Sequence, residues 1–69
     1  MVEPGVYLHY KGKVCSVLGV GEHTETGEKV VVYTEHGSIW VRPLSVFLEE
    51  VGDGVKVPRF THVVGNNQG

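Results

Sequence analysis

The sequence has one cysteine, no excess of basic charge and no long apolar run, and each shortage removes a class of protein. With Cys15 alone among 69 residues, no intramolecular disulfide can reinforce the fold. A formal net charge of −2 gives no overall attraction to a phosphate backbone, which calls for a clearly basic face. The opening MVEPGVYLHYKG has no basic segment followed by an apolar one, and no stretch reaches the ~18 apolar residues of a membrane span, so the expected location is the bacterial cytoplasm. Internal repeats and low-complexity runs are also missing. At this length there is room for one domain, because a chain of ~60 residues already buries only about 60% of its unfolded surface.

What is present is punctuation and strand formers. Ten glycines divide the chain into short segments rich in valine and tyrosine, which predicts an all-β domain. In VYLHYKG, Val6, Leu8 and Tyr10 alternate with Tyr7, His9 and Lys11, the period of a half-buried strand. Lys11-Gly12-Lys13 reads as a tight turn. The next strand, KVCSVLGVG, sets Val14, Leu18 and Val20 against Cys15 and Val17, with a bulge expected near Gly19 and Gly21. EHTETGEK is a polar connection whose threonines are expected to bond their own backbone.

KVVVYT and SIWVR flank Glu35-His36-Gly37 and form the clearest hairpin. A two-residue turn at His36-Gly37 pairs Glu35 with Ser38, Tyr33 with Trp40, Val32 with Val41 and Val31 with Arg42. That register puts Val30, Val32, Ile39 and Val41 on one face, expected to be the core, and Val31, Tyr33, Trp40 and Arg42 on the other. Pro43 should end the strand. Leu44, Phe47, Leu48 and Val51 then follow at helical spacing, predicting a short helical or 3₁₀ turn before a last strand in VKVPRF, which Pro58 restricts to an edge or an end. The expected architecture is a small SH3-like barrel of about five strands over residues 5–61, with 62–69 as a tail; an open β-sheet with one helix packed on it is the competing layout.

The run GVYLHYKGKVCSVLGVGEHTETGEKVVVY, with IWVRPLSVF and VPRF, resembles a small bacterial family known as a domain of unknown function, number sixteen fifty-three. The shared pattern falls on Gly5, Tyr7, His9, Tyr10, Lys11, Gly12, His23, Glu25, Thr26, Tyr33, Trp40, Arg42, Pro43 and Phe47. Cys15, Gly21 and a short tip at Glu35-His36-Gly37 depart from it. The resemblance implies a compact SH3-type barrel and brings no established activity.

From the residues, the candidate ligand face is Tyr7, His9, Tyr33, Trp40 and Arg42, where aromatic rings beside a guanidinium suit a peptide, a small polar ligand or stacked bases. The same rings would equally serve a second small core or a self-association patch. Single-stranded nucleic acid is the first alternative, with Lys11, Lys13 and Arg59 nearby. A small hydrolase or metal site using Cys15, His23 and Glu25 is the second. The spacing of His9, His23, His36 and His62 fixes no two ligands locally, and a strand-borne lone cysteine usually behaves as a small hydrophobe. The expectation is therefore a binding module rather than an enzyme, with no metal or cofactor.

Overall fold

The computed structural model describes residues 2–64. Seven strands and one helical turn follow in the order β1 (Gly5–His9), β2 (Val14–Glu22), β3 (Lys29–Glu35), β4 (Ser38–Pro43), α1 (Leu44–Phe47), β5 (Glu50–Val51), β6 (Val57–Pro58) and β7 (Phe60–His62). Five strands form one antiparallel sheet in the order β4-β3-β2-β1-β7, and β5 and β6 pair separately. The domain is all-β. Its sheet is open, with β4 and β7 as edges, where a closed barrel was expected. Pro58 has no N–H to give a ladder, and VKVPRF accordingly splits at Arg59 into β6, beside β5, and β7, beside β1.

The turns are legible in local chemistry. His36 and Gly37 both adopt positive φ, 54° and 79°, which is what a two-residue hairpin turn demands. The resulting register is the expected one, from Glu35 against Ser38 to Val31 against Arg42. Between β1 and β2, Gly12 lies at φ 94° and its N–H donates to the His9 carbonyl at 2.7 Å. The β2–β3 connection is organised by its own side chains: His23 Nδ1 accepts from the N–H groups of Glu25 and Thr26, and Thr26 Oγ1 accepts from that of Glu28.

Which face is inside reverses the expectation. Val31 is fully buried and Tyr33 nearly so, whereas Ile39 and Val41 are 68% and 61% exposed. The core is Val2, Tyr7, Cys15, Val17, Val31, Tyr33, Phe47 and Phe60, with Val20 and Leu44 packed against it. The reason is the aromatic set: Phe47 stacks on Phe60 at 4.1 Å, and Tyr7 and Tyr33 both pack against Phe47. Burying those large rings gains more apolar contact than burying valines would, and α1 caps the side of the sheet that carries them. A register shift between Val17 and Gly19 leaves Leu18 as the extra residue, which brings Val20 onto the inner face with Cys15 and Val17 rather than with Val14.

Two boundaries differ from the sequence reading. The helical stripe stops after one turn: Phe47 is buried, Leu48 is exposed, and Val51 belongs to β5. At the other end His62 pairs with Tyr7 and stacks on its ring at 4.6 Å, and the Val63 N–H donates to the Val6 carbonyl at 2.8 Å. Strand β7 thus runs past residue 61 into the span expected as a tail, and residues 65–69 of that span lie outside those described. No helix among the described residues is long and apolar enough to cross a membrane.

Candidate functional site

The inner face of the β3–β4 hairpin continues past the core to the sheet's free edge. There Tyr33, Trp40 and Arg42 line a cavity of ≈310 Å³ with Lys13, Glu35, His36 and Ser38. The register explains the grouping. Tyr33 faces Trp40 across the ladder, Glu35 faces Ser38, and Arg42 lies diagonally from Tyr33 on the same face. Tyr33 buries its ring in the core and directs its hydroxyl outward, where it accepts from Arg42 Nε at 3.3 Å. The Arg42 guanidinium lies 5.6 Å from the centre of the Phe60 ring. It is thus held by two contacts that leave its terminal nitrogens available. Trp40 is 52% exposed, with its indole N–H donating to the Glu35 carbonyl at 3.4 Å.

Of the five residues expected to share a ligand face, Tyr33, Trp40 and Arg42 meet in this cavity. His9 belongs to a second cavity of ≈280 Å³, lined with Leu8, Tyr10, Gly12, Val57, Pro58 and Thr61. Phe60 joins the two, being 4.9 Å from the His9 ring on one side and beneath Arg42 on the other. Partial burial lowers the His9 pKa, and the positive charges of Arg42 and Arg59 lower it further against the opposing pull of Glu35. Tyr7 is the correction. It is buried, its hydroxyl donates to the Glu3 carbonyl at 2.9 Å, and its ring lies between Phe47 and His62, so it builds the core and not a cavity wall.

The alternatives fare differently. Lys13 lines the Trp40 cavity, but Lys11 lies over Tyr10, and Arg59 is committed to Glu49 at 2.7 Å. The three cations proposed to accompany stacked bases are therefore dispersed. Cys15 and His23 are separated by β2, eight residues and about 26 Å of chain at ~3.3 Å per residue. Cys15 faces the core, and its thiol pKa is raised by burial and then by Glu35, the opposite of what a nucleophile needs. The His23 ring faces its own loop's backbone. Among the described residues no three His, Cys, Asp or Glu side chains cluster as metal ligands would. Sequence reasoning missed Lys13, Glu35, His36 and Ser38 as members of the cavity wall. The signal was available for three of them, since the hairpin register that gathers Tyr33 and Trp40 also places Glu35, His36 and Ser38 beside them.

An open antiparallel sheet with a concave, aromatic and cationic margin defines a small all-β domain. The family model described as "Protein of unknown function (DUF1653)" matches residues 5–62, and the chain belongs to that family. Its fold is similar to the crystal structure of a DUF1653 protein from Bordetella bronchiseptica, with 38% identity, coverage of 94% of this chain and 95% of that one, and a TM-score of 0.78. No curated protein matches the chain.

Proposed function

We propose that this domain is a binding module whose ligand is an extended peptide segment or similar small polar chain, held along β4 with a side chain in the Trp40 cavity. The observation that carries this reading is the concave meeting of an exposed indole with a fixed guanidinium at a free sheet edge. Trp40 offers area for an apolar or planar group, and Arg42 with Lys13 offers charge for a carboxylate. In the antiparallel register, Val32–Val41 and Thr34–Ile39 are the pairs that do not exchange ladder bonds, so Ile39 and Val41 aim their backbone N–H and C=O groups away from β3. Those groups suit the addition of one more strand. A bacterial cytoplasmic setting fits the Bordetella relative and the single free thiol.

The test is titration of the chain with short acidic peptides carrying one aromatic residue, read by Trp40 emission and by the amide resonances of β4. The expected result is saturable quenching with the Ile39 and Val41 amides shifting, and at least tenfold weaker binding by Arg42→Gln. Oligothymidylate serves as the contrast, because stacking on Trp40 without peptide binding would favour nucleic acid instead. If Trp40 emission answers to neither probe, or if Arg42→Gln binds the peptide as well as the native chain, the reading fails.

A further inference from the structure

The sheet's other face is unlike an ordinary solvent face. Antiparallel sheets with one face on the core normally turn polar side chains outward. Here the outward positions are Val6 and Leu8 on β1, Val14, Ser16, Gly19 and Gly21 on β2, Val30, Val32 and Thr34 on β3, and Ile39, Val41 and Pro43 on β4. None is charged. Val6, Leu8, Val14, Ile39 and Val41 are all exposed, as is the bulged Leu18 beside them.

We infer that this face binds a second copy of the same chain, sheet against sheet. Three observations select that occupant. First, a two-fold interface sets each patch against itself, and a face without charge meets its copy with no like-charge repulsion. Acidic or basic partners, and anionic lipid surfaces, would gain nothing from it. Second, its relief is self-complementary. Gly19 and Gly21 leave a trough in the second half of β2, where a side chain at Gly19 would meet nothing within 4 Å, and the exposed Leu18, Ile39 and Val41 stand above the sheet around it. A two-fold axis can seat each copy's raised side chains in the other's trough.

Third, the area is of the right order. A stable interface removes roughly 800 Å² from each partner, about a sixth of the 4763 Å² that this chain exposes. Four strands at ~4.8 Å spacing and about 20 Å of length present roughly 400 Å² in flat projection, before side-chain relief is counted. A domain whose core, among the described residues, is eight buried side chains also gains more from such burial than a larger one would. Tyr33, Trp40 and Arg42 lie on the opposite face, so the Trp40 cavity of each copy stays open.

Light scattering on the full chain tests this. The native protein is expected to show twice the single-chain mass at about 100 μM, and the double variant Ile39→Lys/Val41→Lys the single-chain mass with an unchanged far-ultraviolet spectrum. Gly19→Glu, placed in the trough where φ is ordinary and space is open, is the second variant and should also be single-chain. A dilution series of the native chain gives a readout independent of variant folding: methyl resonances of Val6, Leu18 and Ile39 should move with concentration while those of Val17 and Val31 stay. A native chain of single-chain mass, a folded face variant that keeps the doubled mass, or methyl shifts indifferent to dilution would each overturn the inference.

Discussion

The two faces of the β3–β4 hairpin have alternating residues of one short stretch and different physical tasks. Val31 and Tyr33 face inward, meet Phe47 and Phe60, and are almost wholly buried. Val32, Ile39 and Val41 face outward beside a glycine trough. Both faces are apolar, so hydrophobicity alone does not say which one folds the chain. The difference lies in shape: rings from four different elements interlock on one side, while the aliphatic side offers β-branched residues with no element packed over them. One face makes the domain and, at its margin, the candidate site. The other is the face inferred to meet a second copy.

Removing the ring that locks the inner face should have the largest effect. Phe47→Ala deletes the side chain stacked on Phe60 and packed against both Tyr7 and Tyr33, at an expected cost of about 3–5 kcal/mol. Against a total of roughly 3–10 kcal/mol for a domain of this length, that is a large part of the whole. Ile39→Ala removes comparable apolar bulk from the outer face and, measured at high dilution, should change stability by no more than about 0.5 kcal/mol. Urea denaturation of the two variants side by side checks both numbers.

These faces also show how far the sequence could be read. The register was legible because it depends on two residues, His36 and Gly37, whose positive φ fixes a two-residue turn and with it every pair up to Val31 and Arg42. The grouping of Tyr33, Trp40 and Arg42 is therefore legible in the sequence alone. Choosing the inside face depends on contacts far apart in the chain, Tyr7 with Phe47 and His62, and Tyr33 with Phe47 and Phe60, which no local period encodes. The same applies to Tyr7, whose alternation with Val6 and Leu8 is equally consistent with either side. Leu18 defeated the period-two reading of β2 in another way, since one bulged residue flips the phase of everything after it.

The smallest expected effect concerns His9, at the seam between the core and the two cavities. Its pKa is lowered in the folded chain, mainly by burial and then by Arg42 and Arg59, so the unfolded chain holds the proton more tightly. Stability is then full above the unfolded value near 6.5, and it falls as pH drops from there toward the lowered folded value. His9→Gln should flatten the stability profile between pH 7 and 5 without displacing Phe60, as read by denaturation midpoints across that range. A profile as steep as that of the native chain would mean that His9 is not the group responsible.

The comparison of faces reduces to one paired measurement, the urea unfolding of Val31→Lys and Val41→Lys at high dilution. Val31 has no exposed surface and Val41 keeps more than half of its own. An ammonium in place of Val31 has no partner in the core and should abolish the cooperative transition. In place of Val41 it should leave a folded domain with a midpoint close to the native one. An unfolded Val41→Lys beside a folded Val31→Lys would contradict the account and return the aliphatic face to the core.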